Sequence, residues 1–267
     1  MKIKMNNKIL ITGSHGYIGS HLNKLINADC IDLKVDSDIR DPNLSLDCDI
    51  LIHLAALTQV GESVKTPLYY YDININGTIN LLNKFKGKHF IFASTGSADG
   101  NLESPYAISK KVCEDIIIEQ CKKRNINFTI FRFYTVIGSN FDIKPSNTDG
   151  LFYTLLQSDK KGFMNIYGKD YNTKDGTCVR DYVHVMEICH SIKDCLYNPS
   201  NNIESLGHGK GYTVKEIVEI YKKVNNCNFE IRYLNRRTGD LEYNVLKDVS
   251  PYMKNLYNIE EMLSCKT

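Results

Sequence analysis

The chain has no block of like charge, no long apolar run and no paired metal-ligand spacing. Its 33 basic and 31 acidic residues are well mixed and leave a net charge of +2. That gives no electrostatic case for nucleic acid or a membrane surface as partner. The stretch 50–61 carries no Asp, Glu, Lys or Arg, but is too short to span a bilayer. The start, MKIKMNNKILITG, is basic, yet its apolar part is strand-length and ends in glycine. A secretory signal needs a longer apolar core and a small-residue cleavage site, so a cytoplasmic protein is expected. Nine cysteines are scattered without a C-x-x-C pair, and seven histidines form no H-E-x-x-H. No metal site is expected, and the cysteines read as free thiols in a reducing compartment. There is no internal repeat and no low-complexity tract.

What is present is an alternation of short apolar runs and helical stretches. Strands are expected at 8–12, 30–33, 49–57, 89–94 and 128–138. Helices are expected at 18–26, 67–85, 105–124 and 213–224. Strands apolar on both faces, alternating with helices, indicate an α/β protein with a doubly wound parallel sheet. After Gly138 the pattern turns polar and mixed, which suggests a smaller C-terminal region of mixed structure. At 267 residues, one large domain or a large domain with a smaller partner fits.

Between the first strand and first helix runs TGSHGYIGSHL, with Gly13, Gly16 and Gly19 spaced by three. Glycines permit a tight turn and close approach of a pyrophosphate, and the following helix aims free N–H groups at it. The spacing G-x-x-G-x-x-G, preceded by TG and followed by YIGSHL, resembles the extended short-chain dehydrogenase/reductase family. VDSDIRD (35–41) resembles that family's GDIRD segment, which implies adenine contacts from Asp38 and Ile39. The same alignment places Asp32 at the adenosine ribose, with Asp36 as the alternative. An acid there disfavours a 2′-phosphate, so NAD is expected rather than NADP.

SPYAISK places Tyr106 and Lys110 four residues apart on an expected helix, hence on one face. An ammonium beneath a phenol favours the phenolate, as does the positive charge of an oxidised nicotinamide. Such a tyrosinate can take a proton from a sugar hydroxyl while hydride leaves the same carbon. Thr95, at the carboxyl end of the preceding strand, could bond the reacting oxygen, with Ser94 in reserve. A cap of the next turn is the plainer reading of Thr95.

HLAALTQVGESVKTPLYYYDININGT (53–78), IYGKDYNTKDGTCVRDYVHVMEI (166–188) and RRTGD (236–240) are similar to signatures of the UDP-galactose 4-epimerase family. This resemblance implies a Rossmann domain over 1–138, rejoined by about 182–206, and a nucleotide-sugar region over 139–267. It implies that Tyr17, Ile18, Leu54, Ala55, Ala56, Leu57 and Tyr134 join the glycines around NAD, with Asn74 in support. It implies substrate contacts from Thr135 and Leu151, uracil contacts from Asn165, Ile166 and Tyr167, diphosphate contacts from Arg180 and Arg237, and a ribose contact from Asp240. Planar guanidinium forks suit phosphate oxygens, although away from the resemblance both arginines read as surface ion-pair residues. A UDP-sugar substrate and a homodimer built on helices 67–85 and 105–124 are expected on the same ground.

The chain departs from the family pattern at Thr58, Ile73, Thr135 and Gly150, and its Thr95–Tyr106 interval is short. No carboxylate directly follows Thr95, where dehydratases and decarboxylases keep an acid. A 4-ketoreductase using external NADPH or NADH is the alternative reading, and a non-catalytic dinucleotide-binding protein a lesser one.

Overall fold

The computed structural model describes residues 7–35, 37–100 and 102–264. Asp36 and Cys265 lie outside the described residues. The chain runs β1 (Ile9–Thr12), α1 (Tyr17–Leu25), β2 (Asp29–Ile31), β3 (Ile50–His53), α2 (Val60–Lys65), α3 (Pro67–Tyr71), α4 (Gly77–Lys84), β4 (His89–Thr95), α5 (Pro105–Lys123) and β5 (Asn127–Phe133). It continues through β6 (Thr135–Ile137), α6 (Leu151–Lys161), β7 (Phe163–Tyr167), β8 (Val179–His184), α7 (Val185–Cys195), β9 (Ile203–Leu206), β10 (Gly211–Thr213), α8 (Val214–Asn225), β11 (Glu230–Leu234), β12 (Tyr243–Asn244) and α9 (Ile259–Leu263).

Six strands form one parallel sheet in the order β2-β1-β3-β4-β5-β9. Its central strands are apolar on both faces because both faces are covered; all seven residues of β4 are buried. On one face Ile11, Ile52, Phe131 and Phe133 pack with Leu22 of α1 and with Ile188 and Ile192 of α7. On the other, Leu51, Phe90, Phe92 and Ile130 pack with Leu81 of α4 and Ile117 of α5. A third core, containing Phe152, Ile166, Tyr182 and Val218, serves the smaller mixed part. There β8 pairs with β6, β10 and β12, while β7 pairs with β11.

Three differences from the sequence expectations have local causes. The expected strand 128–138 is two strands. Pairing with β9 ends at Phe133–Leu206, and after Tyr134 the chain takes β8 as its partner. The expected helix 67–85 is interrupted by a π turn, Asp72–Asn76, between α3 and α4. The run 49–57 is a strand only to His53; beyond it the backbone leaves the sheet as the strip 54–57. Separately, α5 starts as its sequence suggests, with Pro105 in its first turn and Ser104 Oγ accepting the Ala107 N–H at 3.2 Å. No helix among the described residues is long and apolar enough to cross a membrane.

Buried histidines make the fold acid-sensitive. Burial lowers His53 from 6.5 to about 3, and His89 and His184 from 6.5 to about 4. These rings fold neutral, whereas the unfolded chain takes up protons below about 6.5, so falling pH favours unfolding. The thermal midpoint should therefore drop between pH 7 and pH 5, where most carboxylates are still ionised. A calorimetric midpoint that stays constant over that interval would contradict this assignment.

Candidate active site

The sheet reverses its winding between β1 and β3, whose carboxyl ends open a crevice. The glycine turn fills its floor. Gly13 has φ +72, and a Cβ there would come within 2.6 Å of the Ala55 amide nitrogen. A Cβ at Gly19 would collide with the Gly13 carbonyl oxygen. Both glycines are thus demanded by backbone packing. Gly16 precedes α1 and offers no side-chain cap, so the first N–H groups of α1 remain for a ligand.

A cavity of about 540 Å³ extends from this turn into the smaller part. At one end its wall carries Gly13, Gly16, Tyr17, Ile18, Gly19, Leu54 and Ala56. Near the middle stand Thr95, Tyr106, Lys110, Tyr134 and Thr135. The far end holds Leu151, Asn165, Ile166, Tyr167, Arg180, Arg237 and Asp240. Nineteen residues singled out from the sequence thus share one cavity.

Six others are not on its wall. Ala55 backs the glycine turn. Asn74 clasps the Leu57 backbone, its Oδ1 accepting the Leu57 N–H at 2.9 Å and its Nδ2 donating to the Leu57 carbonyl at 3.1 Å. Asp32 accepts the main-chain N–H groups of His15 and Lys34 at 2.8 and 3.0 Å. Asp38 is paired with Arg40 at 2.6 Å, and Ile39 is buried, its side chain over Gly77.

Lys110 is buried, donates to the Ala93 carbonyl at 2.8 Å and lies over the Phe92 ring at 4.5 Å. Burial lowers its ammonium to about 8, against the opposing pull of Cys113 and Glu114. Burial raises the Tyr106 phenol to about 12, and its hydrogen bond with Thr95 counteracts that rise. The lowering by Lys110 that the sequence suggested is not among the influences on this phenol. The positive charge of an oxidised nicotinamide would act against that rise and favour the tyrosinate. Thr95 also accepts the Ser97 N–H at 3.2 Å, so it caps the next turn as well. Ser94 is committed elsewhere, donating to buried Glu114 at 2.5 Å.

Among the described residues neither Arg180 nor Arg237 pairs with a carboxylate, whereas neighbouring Arg236 pairs with Asp170 at 2.8 Å. The Arg237 guanidinium lies 3.6 Å from the Tyr167 ring centroid, and Arg180 donates to the Val179 carbonyl. Two cations without counter-anions on a cavity wall suit an anionic ligand. The buried Tyr182 hydroxyl, on the same wall, has no hydrogen-bond partner among the described residues. Sequence reasoning missed it, although strand alternation sets residue 182 on the same face of β8 as Arg180. It also missed Gln59, Val60, Ser146, Asn147 and Cys178, all on the wall. These come from irregular loops, the first residue of α2 or an unpaired thiol, for which periodicity gives no signal.

A model of the NAD dependent epimerase/dehydratase family matches residues 9–205. The chain belongs to that family. It is 30% identical to the UDP-glucose 4-epimerase of Rhizobium meliloti strain 1021, over 88% of this chain and 87% of that protein. It is also 30% identical to the UDP-glucose 4-epimerase of Mycoplasma genitalium, over 98% of this chain and 88% of that protein. Its fold is that of the UDP-glucose 4-epimerase of Bifidobacterium longum, solved with NAD+ and UDP, at a TM-score of 0.86, 24% identity and 96% coverage of each chain. For this member of the family, the uncapped start of α1 and the Gly13–Ala55 approach fit a dinucleotide.

The lysine value is directly measurable. In protein stripped of nucleotide and labelled at lysine Cε, one resonance should titrate near pH 8 and vanish in Lys110→Met. If every lysine titrates above pH 10, the assignment of a buried, destabilised ammonium is wrong.

Proposed function

We propose that the chain interconverts the C4 configurations of a UDP-hexose, of the UDP-glucose/UDP-galactose type. The reading is carried by a single cavity in which the glycine turn, the Tyr106–Lys110–Thr95 group and two arginines that pair with no carboxylate among the described residues follow one another. NAD, when bound, supplies an acceptor and donor of hydride for C4.

Arg180 and Arg237 hold the diphosphate as a charge-assisted clamp, Asn165, Ile166 and Tyr167 face the uracil, and Asp240 takes the ribose hydroxyls. Tyr106 removes the 4-hydroxyl proton as C4 becomes a ketone, Thr95 bonds the same oxygen, and Lys110, one helical turn on, faces the cofactor. With the nucleotide fixed, the 4-keto sugar turns about its diphosphate link and presents its opposite face. Tyr106 then returns the proton to the new 4-hydroxyl. No net oxidation results, so no external reductant is consumed. Asp32, both of whose carboxylate oxygens already accept main-chain N–H groups, keeps lone pairs for the adenosine ribose and repels a 2′-phosphate.

Two further readings belong here. A second copy covers the face built by α3, α4 and α5, where Leu68 is 79% and Tyr69 52% exposed. The free state of all eight cysteines among the described residues suits the cytoplasm.

The test is incubation of the purified protein with UDP-glucose and no added reductant. UDP-galactose should accumulate to equilibrium. Turnover of 4-keto sugar nucleotides only with added NADPH or NADH would favour the ketoreductase instead, and nucleotide binding without turnover a non-catalytic protein. Tyr106→Phe should cost about 10³-fold in rate while NAD stays bound. A variant that retains full speed would remove Tyr106 from the mechanism. Sedimentation equilibrium should give twice the monomer mass at micromolar concentration, and a monomer would remove the second copy.

A further inference from the structure

Beneath the cavity, a line of buried polar groups joins the two edges of the crevice. Thr12, His53, Thr78 and Asn74 are all buried. Thr12 Oγ lies 2.7 Å from His53 Nδ1, and His53 Nε2 lies 3.0 Å from Thr78 Oγ. Thr78 Oγ is 2.6 Å from the Asn74 carbonyl oxygen, and the Ala55 N–H donates to Thr12 Oγ at 3.3 Å.

Donor and acceptor roles fix the direction of this line. A carbonyl only accepts, so the Thr78 hydroxyl proton goes to Asn74. Thr78 Oγ is then an acceptor, and His53 Nε2 must carry a proton. The Thr12 hydroxyl has Nδ1 as its hydrogen-bond acceptor while its own oxygen receives the Ala55 N–H. A neutral ring protonated at Nε2 satisfies every member of the line. A second proton on the ring would leave Thr12 without its acceptor and place a cation near buried Lys110, whose charge already opposes it.

We infer that His53, held as the Nε2–H tautomer, is a positioning residue that aligns the strip 54–57 for NAD. Its Thr12 arm reaches Ala55, directly behind the Gly13 turn. Its Thr78 arm reaches the carbonyl of Asn74, whose side chain clasps Leu57. The π turn at Asp72–Asn76 is part of the device, since Asn74 lies within it and its carbonyl accepts side-chain donors, the Thr78 hydroxyl and the Cys113 thiol at 3.2 Å. One ring thus sets the two ends of the strip relative to each other. The inference rests on the NAD site of the family and not on the sugar chemistry.

The test reads NAD binding by calorimetry without sugar, for the wild type, Thr12→Val, Thr78→Val and the double variant. Valine keeps the shape and removes the hydroxyl, leaving the ring in place. Each single variant should weaken NAD about tenfold, with the rate at saturating NAD within twofold. The double variant should be little weaker than either single, because both act through one ring. Nitrogen-15 spectra of the holoprotein should show His53 protonated at Nε2 and bare at Nδ1 from pH 8 to pH 5. Additive losses in the double variant, a lowered melting temperature with unchanged NAD affinity, or a proton on Nδ1 would each overturn the inference. Absence of NAD binding by the wild type would instead refute the assignment of the dinucleotide site itself.

Discussion

The site depends on one close approach, that of the Gly13 backbone to the Ala55 backbone where β1 and β3 part. Neighbouring parallel strands here continue into segments that serve opposite purposes. After β1 the chain turns into α1, and after β3 it leaves the sheet as the strip 54–57. The crevice between them is narrow because no side chain separates the two backbones at the turn. A Cβ at residue 13 would push the strip away, and one at residue 19 would push the turn off its helix. The first N–H groups of α1 and the strip facing them are therefore placed by covalent geometry and packing before any ligand contributes.

Charge is distributed along the cavity according to what each part handles. At the far end, no carboxylate among the described residues pairs with Arg180 or Arg237, an arrangement that suits a diphosphate. In the middle, Lys110 follows Tyr106 by one turn of α5, and it is buried where its charge is costly. Beneath it His53 is kept neutral, which avoids adding a second cation to the first. Glu114 balances Arg132 at 2.7 Å and takes the Ser94 hydroxyl, leaving Thr95 as the hydroxyl bonded to Tyr106. With the protein's own groups alone, burial holds the Tyr106 phenol above its ordinary value, and a bound oxidised nicotinamide would act against that rise.

Much of this was legible in the sequence, for identifiable reasons. The strands were legible because a sheet covered on both faces imposes uninterrupted apolar runs. The glycine turn was legible because only glycine tolerates its backbone and contacts. Tyr106 and Lys110 were legible because a helix brings residues four apart onto one face. Tertiary decisions were not legible. The switch of partner at Tyr134 depends on where β9 ends. Within the π turn, the Asn74 carbonyl accepts the Thr78 hydroxyl and the Cys113 thiol, the latter from a helix distant in sequence. Tyr182 was obscured because its neighbour Arg180 drew the functional assignment, although the strand period contained the signal. The pKa balance at Tyr106 was also out of reach, because burial dominates it and burial is not a property of spacing.

The central claim is that hydrogen leaves and returns to the same carbon within one cavity. UDP-glucose carrying deuterium at C4 tests it most directly. Followed by mass spectrometry and proton NMR, the label should remain at C4 of the UDP-galactose formed, undiluted by solvent or by added unlabelled reductant. Label released to water, or replaced by hydrogen from an external nicotinamide, would contradict the account.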